Sequence, residues 1–192
     1  IFIHDMLTGS TTRVSVASDG TQANDASSYV SISADGRFVA FQSSASNLVE
    51  GDTNGFEDIF VHDRLTGTTV RASVASAGAQ AANGGVDPSI SGNGAAVAFE
   101  SASPDLVSGD TNWIRDIFVH NLQTGVTTRV SKASDGTQGD MPSYRSSISY
   151  EGDIVAFESD ADNLVSDDTN GYTDIFVFEL ASFRLFLPAL VR

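Results

Sequence analysis

The 192-residue sequence has no cysteine, and only 10 lysine and arginine residues stand against 25 aspartate and glutamate residues. The lack of cysteine excludes disulfide scaffolds and cysteine-ligated zinc or iron–sulfur sites. A formal net charge of −15 excludes a basic nucleic-acid-binding protein, because phosphate neutralisation needs an excess of lysine and arginine. No stretch approaches the roughly 20 apolar residues that a membrane-spanning helix requires. With 41% hydrophobic residues, the chain is instead typical of a folded protein.

Internal repetition is the strongest feature of what is present. The tripeptide Asp-Ile-Phe begins at Asp58, Asp116 and Asp174, at intervals of 58 residues. All three copies carry the same residue at 26 of the 58 repeat positions. We therefore expect an array of similar units. The predicted units are three repeats and a last strand with an apolar C-terminal tail: 1–58, 59–116, 117–174 and 175–192.

Each repeat contains four segments that are rich in β-branched and aromatic residues and separated by Gly, Asp and Asn. In the third copy these segments are 117–120, 126–131, 146–149 and 154–158. This composition predicts β-strands and an all-β fold. The segments equivalent to 117–120 and 154–158 are apolar at successive positions, so we expect both faces of those strands to be buried between stacked sheets.

Several motifs resemble the TolB-type β-propeller repeat. They are Pro88–Gly94 and Val97–Ser101, which are followed by Asp116–Asn121, and the equivalent Ser33–Gly36 with Val39–Phe41 in the first copy. The resemblance covers all three repeats. It implies β-propeller blades of four antiparallel strands, and it says little about activity because one fold hosts many functions.

The predicted blades do not close a ring, since propellers use roughly four to eight blades. The order of segments gives the third and fourth strands of one blade, then two full blades, then three strands of a last blade. An open fan of this kind predicts part of a larger propeller, a ring completed by another copy, or a head-to-tail filament. The apolar tail, residues 183–192, is predicted to supply a closing strand or to add to the edge of another subunit.

The loop between the second and third strands of each repeat carries the spacing D-x-N-x-x-x-D. Carboxylate, amide and main-chain oxygens in a tight turn are the ligands that Ca²⁺ prefers. The alternative is that the same side chains shape the turn through Asx hydrogen bonds. The candidate Ca²⁺ ligands are Asp52, Asn54, Asp58, Asp110, Asn112, Asp116, Asp168, Asn170 and Asp174.

Other repeated polar residues are interpreted as structural. His4, His62 and His120 share one repeat position, whereas a catalytic histidine works among unlike partners. The arginines at one position of the fourth strand are predicted to pair with the repeated aspartates: Arg13, Arg71 and Arg129. Trp113 has no counterpart in the other copies, and it is predicted either to stack on a ligand or to cover a blade edge.

No nucleophile motif is present, so the sequence favours a non-enzymatic protein. An acidic, cysteine-free repeat array with calcium loops predicts a secreted or cell-surface protein with a structural, self-assembling or adhesive role. One alternative is a module that binds a glycan, a peptide or a protein. Another is the C-terminal part of a propeller hydrolase or lyase.

Overall fold

A computed structural model describes residues 1–180, and all regular secondary structure in that range is β-strand. The predicted tail at 183–192 lies outside the described residues. The strands are β1 (Phe2–His4), β2 (Thr11–Arg13), β3 (Ser27–Ile32), β4 (Phe38–Ser43), β5 (Asp58–Asp63), β6 (Thr68–Arg71), β7 (Val86–Ile90), β8 (Ala96–Ser101), β9 (Asp116–Asn121), β10 (Thr127–Arg129), β11 (Ser143–Ile148), β12 (Ile154–Ser159) and β13 (Asp174–Glu179).

The strands form four antiparallel sheets, in which each strand pairs with its neighbour in sequence. The first sheet is β1–β2, the second β3–β6, the third β7–β10 and the fourth β11–β13. This order confirms the predicted four-stranded blades in the two central sheets. It also confirms two strands of a blade at one side of the array and three at the other.

The first strand of each larger sheet contains an irregularity that displaces its register against the second strand. The displaced residues are Tyr29, Asp87 and Arg145, at equivalent repeat positions, with φ of 47°, 51° and 49°. A left-handed conformation is uncommon for residues other than glycine, and such strained positions cluster at ligand-binding sites. The three sheets therefore carry equivalent bulges, and each bulge presents a different side chain.

The cores lie between consecutive sheets. One cluster joins Val61 of β5 to Phe99 of β8 and Phe118 of β9, across the second and third sheets. Another joins Ile117 of β9 to Phe157 of β12, across the third and fourth sheets. The predicted burial of both strand faces is confirmed for β8 and β9, because successive residues of these strands face opposite clusters.

The outer face of the fourth sheet repeats residues that are buried elsewhere. Ile117 and Val119 are 0% and 4% exposed beneath the fourth sheet, whereas their equivalents Ile175 and Val177 are 68% and 65% exposed. Phe2 in the first sheet is 61% exposed, although Phe118 at the same repeat position is fully buried. Within the described residues, the two outer sheets thus expose apolar surface of the kind that the inner sheets bury against each other.

Candidate functional site

The carboxylate of Asp58, at the start of β5, lies fully buried at the centre of a polar network. Its Oδ1 accepts a hydrogen bond of 2.5 Å from the hydroxyl of Ser73. Its Oδ2 accepts hydrogen bonds from Asn54 Nδ2 at 3.1 Å, Gln80 Nε2 at 3.1 Å and Arg71 Nη1 at 3.2 Å. Four donors therefore satisfy this carboxylate, and one of them is a cation.

The loop before Asp58 is shaped by the same side chains. Asn54 Oδ1 accepts from the backbone N–H of Phe56 at 2.9 Å, which is an Asx turn, and its Nδ2 donates to the carbonyl of Ala81 at 2.9 Å. Asp52 Oδ1 accepts from Gln80 at 3.0 Å and lies 3.6 Å from Arg71 Nη1. Burial raises the pKa of Asp52, and the charge of Arg71 opposes that shift.

The second copy repeats the arrangement around Asp116. Asp116 accepts from Ser131 at 2.5 Å and Asn112 at 3.3 Å, and it lies 3.5 Å from Arg129 Nη1. The same arginine nitrogen lies 3.4 Å from Asp110 Oδ1, which is buried and has no hydrogen-bond partner in the part of the chain that the structure describes. Burial raises the pKa of both carboxyl groups. The predicted pairing of arginine with the repeated aspartates is present in both copies.

The third copy lacks this cation in the described residues. Asp174 accepts from Asn170 Nδ2 at 2.8 Å, and the buried Asp168 Oδ1 has no hydrogen-bond partner within residues 1–180. In sequence, Leu187 and Ala189 stand at the repeat positions of the arginine and serine that surround the carboxylate in the other copies. Among residues 1–180, the carboxylates of the third loop therefore lack the partners that neutralise and saturate the equivalent groups.

Metal binding by the nine predicted loop residues stays a prediction. Within residues 1–180, no group of three or more His, Cys, Asp or Glu side chains has the arrangement of a metal site. In the first two loops an arginine supplies the positive charge that Ca²⁺ would bring. Because the third loop has no such arginine at its equivalent position, a test for calcium is sharpest there.

Calcium dependence can be measured loop by loop. At a concentration at which the chain is monomeric, we expect Ca²⁺ added after exhaustive chelation to raise the melting temperature by about 5 °C at roughly 100 times its Kd. Asp168→Asn should remove that rise, and Asp52→Asn should keep it because Arg71 already neutralises the first loop. Differential scanning calorimetry with and without chelator measures both. A melting temperature that is independent of calcium would contradict the calcium prediction and support the alternative, in which the side chains only shape the turn.

The repeated histidines have a structural place. His62 Nδ1 lies 2.9 Å from Thr69 Oγ1, and this hydroxyl donates to the carbonyl of Val16, in the loop that follows the first sheet. Because the threonine proton is used there, His62 Nδ1 is the donor to Thr69. Burial lowers the pKa of His62 and of its equivalent His120. The pairing recurs at His4 with Thr11.

Sequence reasoning missed three sets of residues that complete these networks. Each set recurs at intervals of 58 residues, which is the signal that identifies it. The sets are Thr11, Thr69 and Thr127; Ser15, Ser73 and Ser131; and Gln22, Gln80 and Gln138.

Trp113 lies in the second of the three loops and stands where the other copies have Gly55 and Gly171. Its φ of 58° is the left-handed conformation that those glycines also adopt. The indole is 70% exposed. The two predicted roles of Trp113, ligand stacking and covering of a blade edge, both stay predictions.

Solved structures with the same fold are β-propeller proteins. TolB from Acinetobacter baumannii superposes with a TM-score of 0.51 at 16% identity, over 93% of this chain and 35% of that one. The tricorn protease gives 0.55 at 14% identity, over 93% and 15% of the two chains. A prolyl endopeptidase gives 0.55 at 13% identity, over 94% and 24%. The chain thus has a TolB-like β-propeller fold. It spans about a third of the length of TolB and a smaller share of the two peptidases.

No protein-family model matches the sequence, and a search of characterised proteins finds no significant match. In the part of the chain that the structure describes, no helix has the length and apolar character needed to cross a lipid bilayer.

Proposed function

We propose that this chain is a non-enzymatic, structural β-propeller segment of a secreted or cell-surface protein, and that it assembles with a second copy of itself. The observation that carries the proposal is the complementarity of the outer sheets. The fourth sheet holds the first, second and third strands of a blade, and the first sheet holds the fourth strand as β2. The edge of β2 that faces the third strand of a blade is paired with β1 within the chain. One blade is therefore complete if β13 takes the place of β1 beside β2 of a second copy.

The side chains of the two sheets match in this arrangement. Asp174 is equivalent to Asp58, and Arg13, Ser15 and Gln22 are equivalent to the residues that donate to Asp58. In the described residues Arg13 donates only to Gln22, at 2.7 Å. The partner's β2 therefore brings hydrogen-bond donors to Asp174. At the repeat positions of Arg13 and Ser15, the chain that holds Asp174 has Leu187 and Ala189.

The apolar surfaces match as well. In the shared blade, the outer face of the fourth sheet packs against the second sheet of the partner. This contact is equivalent to the contact between the third and fourth sheets within one chain. Ile175 then occupies the position of a residue that is fully buried in the third sheet. Two copies joined twice in this way give a ring of six blades, within the usual range of propellers. A chain without cysteine has no thiol that an oxidising extracellular setting would oxidise.

A pair of matched substitutions tests the apolar contact. We expect the wild-type chain to have twice its 20.1 kDa mass in sedimentation equilibrium. Ile175→Lys should give a monomer, because it places a charge against an apolar sheet. Leu65→Lys is the control, since Leu65 is 74% exposed on a hairpin turn away from the proposed contact. A wild-type monomer at all concentrations, or equal effects of the two substitutions, contradicts the proposal.

A charge exchange tests the partner residues directly. Arg13→Asp alone and Asp174→Arg alone place like charges at both junctions, so each variant should be monomeric. An equimolar mixture of the two variants should recover the dimer, because every junction again joins opposite charges. Deletion of 181–192 should leave the dimer intact. Failure of the mixture to associate would reject the proposed pairing of β2 with β13.

A further inference from the structure

A polar cleft of about 350 Å³ lies between the third and fourth sheets. It is found at the end of these sheets where β7 and β11 begin and where β8 and β12 end. Its walls come from the bulged residues of β7 and β11 and from the loops that lead into β9 and β13. A cleft of this volume accommodates a ligand of about the size of one amino acid.

The cleft is lined by residues that break the repeat. Six of the eight lining residues occupy repeat positions at which all three copies differ, and the other two, Glu100 and Glu158, stand where the first copy has Gln42. Arg145, for example, stands where the other copies have Tyr29 and Asp87, and Arg115 stands where the first copy has Glu57. Almost half of the repeat is identical in all copies, and the strands beneath the cleft share that identity. The described part of the chain thus combines a repeated scaffold with a cleft whose lining is mostly not repeated.

The two arginines of the cleft are already paired with carboxylates. Glu100, which is 1% exposed, accepts from the backbone N–H of Arg145 at 2.6 Å and from Arg115 Nη1 at 3.2 Å. The side chain of Arg145 donates to Glu158 Oε2 at 2.8 Å. These pairs hold both glutamates in place and use the positive charge of both guanidinium groups.

Two further carboxylates of the cleft have no cationic partner among the described residues. Asp87 accepts no side-chain hydrogen bond there, and Asp160 accepts from the hydroxyl of Thr173 at 2.5 Å. Burial raises the pKa of Glu100, and the charge of Asp87 raises it further. Burial likewise raises the pKa of Tyr144, with Asp160 as the next cause. The cleft therefore has an excess of negative charge that its own arginines leave uncompensated.

We propose that this cleft binds a guanidinium or ammonium group, carried either by a small molecule or by a peptide side chain. Such a group adds the missing positive charge and offers several N–H donors to the carboxylates. The Arg145 guanidinium, whose side chain is 75% exposed, remains available to a neighbouring carbonyl of the same ligand. The site lies within one chain, so it does not depend on association with a second copy.

The binding test uses a charged probe and its neutral isostere. Acetyl-Gly-Arg-Gly-amide should shift the backbone amide resonances of Asp87, Arg145 and Thr173 in a titration followed by ¹H–¹⁵N NMR. The peptide with citrulline in place of arginine should bind at least about 10-fold more weakly, because it lacks the charge. Methylguanidine distinguishes a small-molecule ligand from a peptide ligand. If it binds as tightly as the arginine peptide, the ligand is a small cation, and if it binds much more weakly, the ligand is a peptide side chain.

Two matched substitutions locate the site. Asp87→Asn keeps a residue that tolerates the left-handed backbone, removes one charge and should weaken binding about 10-fold or more. Asp135→Asn removes an exposed charge from a distant loop and should leave binding unchanged. Unaltered thermal melting confirms that each variant is folded. No resonance shifts with the arginine peptide, equal binding of the citrulline peptide, or equal effects of the two substitutions would overturn the proposal.

Discussion

Asp58→Ala is expected to lower the free energy of unfolding by about 3–5 kcal/mol, which is the usual cost of removing one partner from a buried ion pair. The substitution leaves Arg71, whose side chain is only 8% exposed, without its nearest carboxylate. It also leaves the hydroxyl of Ser73 and the amides of Asn54 and Gln80 without their shared acceptor. Urea denaturation followed by circular dichroism measures the change.

Asp174→Ala is the matched control for this prediction. Asp174 has the same repeat position, but it is half-buried and accepts only the Asn170 amide among the described residues. We expect its removal to cost less than about 1 kcal/mol in the monomer. Equal costs at the two positions would show that the Asp58 network contributes little. Asp58→Asn should fall between them, because it keeps the shape of the side chain and loses the charge.

The strands could be predicted from the sequence because their signal is local. Val97–Phe99 and Ile117–Val119 are apolar at every position, and this pattern by itself indicates burial on both faces. The interval of 58 residues then fixed the order of strands in every sheet. The bulge at Arg145 had no such signal, because arginine is a poor residue for a left-handed backbone and only the register against β12 shows it.

The candidate sites were harder to predict, because they depend on residues far apart in sequence. The spacing D-x-N-x-x-x-D serves a calcium loop and a closed turn equally well. Arg71, 13 residues after Asp58 in the sequence, donates to this carboxylate and supplies a positive charge that the spacing alone does not show. The polar cleft has no sequence motif at all. It combines Asp87 with Thr173, and divergence from the repeat was the only available signal for its residues.

Phe118→Ala is expected to cost about 3–5 kcal/mol, since it removes a fully buried ring from the core between the second and third sheets. Its ring centroid lies 5.9 Å from that of Phe99, so the substitution also removes an aromatic contact and leaves a cavity. The measurement is the free energy of unfolding at a concentration at which the chain is monomeric.

The repeat itself supplies the controls, because a phenylalanine occupies this position in four places. Phe2→Ala should cost less than about 1 kcal/mol, since the ring is 61% exposed and little apolar surface is lost from a core. Phe176→Ala should lie between the two, because Phe176 is half-buried and still packs against the cluster shared by the third and fourth sheets. If all three substitutions cost the same, stability would follow residue identity and local strand formation. A graded series would show that it arises from the contacts between sheets, which are the contacts that a second copy extends.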